Sequence, residues 1–238
     1  MLTIVEPVGR LGNQIIRAIA VSMIAEKMGI RVQYSSHYAI QQLGIPLYSD
    51  KKTYRNTVDL TDENYSTLYE TPPMANLNPG ELCFQTQTIS KRIKVYIDLH
   101  RHSIINKNPF QHRYNNNNDV FIHVRLGDVA QYNPGLSYYK KAIEECASNG
   151  TIYLSTDEPS HPIIQELQKY PNTTLLSYDE IKTLQFGSTC RFIILSHGSF
   201  SAIIGYMGFL STVYYPPHTH RWYGDMFSID GWKEVEVV

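Results

Sequence analysis

Apolar residues recur along this chain in two rhythms. LTIVEP (residues 2–7) is a short β-branched run, and IIRAIAVSMIAEKMG then repeats apolar residues at helical spacing until Gly29 stops it. IRVQYS (30–35) is extended again, so the chain opens as β-α-β with the glycine turn GRLGN at its first crossing. Residues 36–92, punctuated by Tyr, Thr and Pro, predict loops with short strands and helices. In 89–105, Ile89, Ile93 and Ile97 keep helical spacing, although 95–97 would equally suit a strand.

The pattern breaks at NKNPFQHRYNNNND (106–119). Four consecutive asparagines cannot build a core, which makes this segment the expected boundary between domains 1–112 and 119–238. Beyond it the alternation is regular. Strands are expected at VFIHV, TIYLST, TTLLS, RFIILS and STVYYP, with helices at SYYKKAIEECAS, HPIIQELQKY, YDEIKTLQF and FSAIIGYMGFL. Alternating strands and helices predict parallel β-α-β units, hence an α/β fold.

Composition narrows the function. At 42% hydrophobic and 18% charged residues the chain is globular, and 238 residues suit one large domain or two small ones. A net charge of -1 provides no global field for nucleic acid or an anionic membrane, so an anionic ligand has to be held locally. No apolar run is long enough to span a membrane. MLTIVEPVGR shows no signal-like pattern, and Cys83, Cys146 and Cys190 are odd in number and far apart. A reducing, cytoplasmic location is therefore expected.

Three strand ends carry polar clusters: HVRLGD with His123, Arg125 and Asp128; STDEPS with Ser155, Thr156 and Asp157; and SHGSFS with Ser196, His197, Ser199, Phe200 and Ser201. In a parallel sheet these ends share one edge, where α/β folds bind ligands. The Arg125 fork suits phosphate. Residues 199–201 open a helix, whose free N–H groups favour an anion. Asp157 can accept from a ribose hydroxyl or a base N–H. VGRLGNQ (8–14) lacks a dinucleotide fingerprint, having neither a third glycine nor an acid after the strand at Tyr34. There is no P-loop and no Asp-x-Asp, so cationic side chains are expected to take a metal's role at the phosphate. His218 and His220 stand two apart with no third ligand in view, and no metal site and no cofactor are expected.

GRLGNQ, HVRLGD, STDEP and LSHGSFSAIIGYMGF, in this order, resemble inverting GDP-fucose fucosyltransferases, and among them the α-1,2-fucosyltransferases of glycosyltransferase family 11. The protein O-fucosyltransferases share the GRxGNQ start and the H-x-R-hydrophobic-G motif. The resemblance implies a GT-B arrangement of two Rossmann-like domains with parallel sheets facing across a cleft, acting on GDP-fucose and a glycan acceptor without metal. It implies that Arg125 grips the β-phosphate, that His123 and Asp157 contact the nucleoside or sugar, and that the helix start at Ser199, Phe200 and Ser201 holds the diphosphate. Arg10, Gly12 and Asn13 would face the sugar and acceptor. Leu126 and Val129 depart from family 11 members that carry a second arginine and an aromatic there. Glu6 and Asp128 are the candidate catalytic carboxylates. The rivals are a same-fold transferase with another nucleotide sugar and a non-catalytic nucleotide-sugar-binding module.

Overall fold

The structure, a computed structural model, describes residues 2–35, 37–218 and 223–236. In the first half, β1 (Thr3–Val5) leads through α1 (Leu11–Met28) to β2 (Val32–Tyr34), which pairs with β1 in parallel. Gly29 closes α1 in the left-handed conformation, its N–H bonded back to Ala25 and Glu26 carbonyls. After α2 (Tyr38–Gln42) come β3 (Thr57–Asp59), α3 (Tyr65–Glu70) and β4 (Asn76–Asn78). β3 and β4 form a second parallel pair, tied to β1 by the Leu77 N–H donating to Thr3 Oγ1 at 2.8 Å. Residues 89–105 are helical except at His100, as α4 (Gln87–Leu99) and α5 (Arg101–Lys107), with Ile89, Ile93, Ile97 and Ile104 buried.

The second half is one six-stranded parallel sheet. Its strands are β5 (Val120–Val124), β6 (Ile152–Thr156), β7 (Thr173–Leu175), β8 (Phe192–Ile194), β9 (Thr212–Tyr215) and β10 (Lys233–Glu234). The spatial order is β10-β9-β8-β5-β6-β7. The chain runs outward from β5 to β7, returns to the far side of β5 at β8, and runs outward again. Strand order therefore reverses between β5 and β8, and a crevice opens there at the carboxyl ends. The pattern alone gave no β10, which is two residues long and exposed.

Side chains sort by strand alternation. Val120, Ile122 and Val124 pack under α6 (Leu136–Cys146) and α7 (Pro162–Leu167), together with Tyr138, Tyr139, Ile164 and Leu167. Phe121 points to the opposite face, which α8 (Glu180–Gly187) and α9 (Ser199–Tyr206) cover. That second core does not stop at the sheet. Ile15, Ile19, Ile93 and Ile97 of the first half lie in the same cluster as Leu184, Leu195, Ala202 and Ile203.

The asparagine-rich stretch is docked rather than loose. Asn108 is buried and donates to the Gln185 carbonyl at 2.8 Å. Asn117 donates to the Arg113 and Thr189 carbonyls and accepts from the N–H groups of Asp119 and Arg191. Arg113 pairs with Asp119 at 2.7 Å and lies over the Phe186 ring. These side chains satisfy backbone groups that no strand or helix serves.

Candidate active site

The crevice at the β5/β8 reversal gathers most of the residues expected from sequence. Arg125 follows β5 directly, and its side chain is 14% exposed. It forms ion pairs with Asp157 through Nη1 and with Asp128 through Nη2. Burial lowers the Arg125 pKa, Arg10 adds to that, and Asp128 opposes it. Arg10 reaches across from the first half: its Nη2 is 3.6 Å from Asp128 Oδ1 and its Nη1 is 3.7 Å from Asp157 Oδ2. Asp157 follows β6, and its second oxygen accepts from the Leu126 N–H at 2.9 Å. Gly127, at φ +39°, makes this turn possible, since a Cβ there would stand 2.6 Å from Asp157 Oδ2.

Two helix N-termini meet beside the arginines. Asn13, in the first turn of α1, accepts at Oδ1 from Ser199 Oγ and from Gln85 Nε2, the latter at 2.8 Å. Ser199 and Phe200 are the first residues of α9, and the Gly198 N–H donates to the Tyr223 hydroxyl at 3.0 Å. The free N–H groups of both first turns contribute partial positive charge to the crevice.

His123 lies beside Ser155 in the β5–β6 register, is buried, and has Nδ1 2.6 Å from Ser201 Oγ. Its ring centroid is 5.2 Å from that of Phe200. Burial, followed by the charges of Arg125 and His197, pulls its pKa down to about 3, so the ring is neutral. His197 is buried with its ring centroid 6.5 Å from that of Tyr132.

The crevice has two lobes. One, of about 140 Å³, is lined by Arg10, His123, Arg125, Ser155, Asp157, Phe200 and residues of the β7–α8 passage: Tyr178, Glu180 and Thr183. The other, of about 230 Å³, is lined by Arg10, Gly12, Asn13, Gln85, Arg125, Asp128, His197, Ser199, Phe200 and Tyr223. Each is smaller than the roughly 300–1,000 Å³ usual for a ligand site. They share Arg10, Arg125 and Phe200, which makes them halves of one elongated site. An elongated ligand whose anionic middle sits between two less charged ends fits this shape.

Two expected ligand contacts stand behind the surface instead. Ser201 is fully buried against His123, and Ser196 is fully buried, accepting from the Tyr139 hydroxyl at 3.0 Å. Neither lines a lobe. Glu6 lines neither lobe as well, and its backbone carbonyl accepts from Arg17 Nε. The sequence reading missed Gln85, Tyr178, Glu180, Thr183 and Tyr223. They come from segments without a motif, and only the folded chain brings them to the crevice. His220 lies outside the described residues, and no group of three or more potential metal ligands occurs among those described. The described residues include no helix long and apolar enough to cross a membrane, and Cys83, Cys146 and Cys190 are free thiols.

No family model and no curated protein sequence matches the chain. Solved structures do. The fucosyltransferase NodZ from Bradyrhizobium superposes with a TM-score of 0.60 at 9% identity, over 89% of this chain and 94% of that one. NodZ, described as an α-1,6-fucosyltransferase and soaked with GDP-fucose, gives 0.59 at 10% identity, over 89% and 93%. The E. coli heptosyltransferase WaaC with ADP-2-deoxy-2-fluoro heptose gives 0.55 at 8% identity, over 100% and 94%. At these identities the likeness concerns the fold: an α/β architecture of parallel sheets that matches the GT-B glycosyltransferases.

Proposed function

We propose that this chain is a glycosyltransferase that moves fucose from GDP-fucose to a glycan acceptor, with inversion and without a metal ion. The observation that carries the reading is the position of Arg125. It stands at the strand-order reversal, beside the first turn of α9, on the wall shared by two lobes, with Arg10 and Asn13 of GRLGNQ facing it. The donor diphosphate lies between the arginines and the α9 N-terminus. Its nucleoside enters the lobe of Ser155, Asp157 and Tyr178, and His123, being neutral, meets it as a hydrogen-bonding group rather than as a cation. The sugar and acceptor meet in the lobe of Asn13, Gln85 and Tyr223. Residues 1–112 then supply the acceptor side and 119–238 the donor side.

The reaction is one displacement at the anomeric carbon. The acceptor oxygen attacks from the face opposite the diphosphate, and the bond to the β-phosphate oxygen breaks. Arg125 and Arg10 neutralise the charge that grows on the leaving group, in a crevice that screens it less than water. Asn13 and Gln85 fix the reacting partners, so that the attack needs little reorientation. Three free thiols suit a reducing compartment.

Calorimetry with GDP, ADP and UDP, each with and without chelator, tests the donor. A transfer assay with GDP-fucose on a glycan array, with the product's anomeric configuration read by NMR, tests the reaction. A second reading, an ADP-linked donor, is favoured by the likeness to WaaC over the whole chain; tighter binding of ADP than GDP would decide for it. Failure to transfer or hydrolyse any nucleotide sugar would leave a binding module.

A further inference from the structure

Arg10 and Arg125 converge on the same two carboxylate oxygens. Asp128 Oδ1 and Asp157 Oδ2 are each contacted by both guanidinium groups. The two aspartates differ in what else secures them. Asp157 also accepts from the Leu126 N–H through Oδ1. Among the described residues, the Asp128 carboxylate pairs with the two arginines alone and is 61% exposed. They also face different lobes: Asp157 lines the one with Ser155 and Tyr178, and Asp128 the one with Asn13 and Gln85.

We propose that Asp128 is the general base of the transfer and that the donor diphosphate releases it. The proposal rests on the glycosyltransferase reading. A diphosphate brings several anionic oxygens to the arginine forks that Asp128 Oδ1 now shares with Asp157 Oδ2. Once those forks turn to phosphate, Asp128 loses both partners and is repelled by the new negative charge. The space open to it is the lobe of Asn13 and Gln85, where the acceptor hydroxyl arrives. The hydroxyl oxygen then bonds to the anomeric carbon and its proton passes to the Asp128 carboxylate. The bond between that carbon and the β-phosphate oxygen breaks, its electron pair leaving with the nucleoside diphosphate against Arg125 and Arg10. Departure of the nucleotide returns the arginines to Asp128, which gives its proton to water. Without donor the base stays locked, and the order of binding is donor first.

The test uses the full chain with Asp128→Asn and Asp128→Ala. Both variants are expected to bind GDP as tightly as wild type or a few-fold tighter, because a competing carboxylate is gone. Transfer to a hydroxyl acceptor should fall about 10²–10⁴-fold, the range for losing a general base. Azide, a nucleophile that carries no proton to remove, should still take fucose from GDP-fucose in both variants at the rate seen with wild type and azide. Hydroxyl transfer within ten-fold of wild type would overturn the proposal. So would a joint loss of hydroxyl and azide transfer, or a loss of GDP binding, either of which would make Asp128 a support for the arginines. A wild-type chain that transfers no sugar from any nucleotide donor would fail the glycosyltransferase reading, and this proposal with it.

Discussion

Gly12 of α1 abuts the backbone of Phe200 in α9: a Cβ on Gly12 would come within 2.5 Å of the Phe200 nitrogen and 2.7 Å of the Ser199 carbonyl carbon. The obstacle is main chain, which cannot rotate aside as a flexible side chain could. The glycine therefore lets two helix N-termini, from opposite halves of the sequence, open into one crevice.

Gly12→Ala should part the two helices and break the bond between Ser199 and Asn13. Overpacking of this kind costs about 1–3 kcal/mol, and a chain of this size loses roughly 2–4 °C in Tm per kcal/mol. Differential scanning calorimetry reads the first effect, and a transfer assay the second. An unchanged Tm would mean that the helices separate freely.

Arg125→Lys should be nearly as damaging as Arg125→Ala. The present geometry uses two different guanidinium nitrogens on two different carboxylates, and one ammonium cannot span both positions. GDP titrations of both variants, with circular dichroism to confirm the fold, decide it. Near wild-type affinity in the lysine variant would remove the bidentate grip.

Asn13→Ala should cut transfer severely while leaving GDP affinity within a few-fold. Asn13 lines only the lobe assigned to sugar and acceptor, and it aligns Gln85 and Ser199 there. Arg125→Ala, in contrast, should weaken GDP binding directly. Equal losses of GDP affinity in the two variants would merge the lobes into a single nucleotide pocket.

GDP should raise the melting temperature in the presence of chelator, since arginines take the charge that a divalent ion would. At a concentration near 100 times Kd the gain is about 2.7 kcal/mol. A shift that requires Mg²⁺ or Mn²⁺ would count against the metal-free mechanism.

His123 predicts a pH dependence. Its folded pKa of about 3 lies below the ordinary 6.5, so the unfolded chain takes up this proton more readily. Stability from this group is complete above about pH 6.5 and drains away as the pH falls toward 3, by up to about 1.4 kcal/mol per pH unit. In His123→Gln, denaturant unfolding between pH 6 and 4 should lose one proton's worth of that slope. An unaltered slope would mean that His123 protonates while folded.

The sequence exposed the cluster around Arg125 because its parts are local. Arg125, Asp157 and Ser199 each sit within a few residues of a strand end, and the parallel alternation puts those ends on one edge. Direction was less legible. Ser196 and Ser201 read as donors to a ligand, yet burial turns both inward, to Tyr139 and His123. Residue type alone does not say which face of a helix or loop meets the crevice. The stretch 106–119 reads as a domain boundary because asparagine cannot fill a core, and its amides bond well to stray backbone groups. Gln85 and Tyr223 reach the crevice from loops far apart in sequence, so no local pattern could reveal them. Arg17 went unremarked inside a helix, although it is buried and binds the carbonyls of Glu6, Pro79, Gly80 and Leu82, securing the turn that presents Arg10.

The apolar cluster that runs unbroken from α1 and α4 into α8 and α9 also limits how this molecule can breathe. Swinging the halves apart like a clamshell would bring Ile19, Ile93, Leu195 and Ile203 into water together. Traffic in and out of the crevice therefore falls to its rim, where Arg10 and the Asp128 turn are exposed and held by charge. A rim held in this way answers to ions, and added salt loosens it.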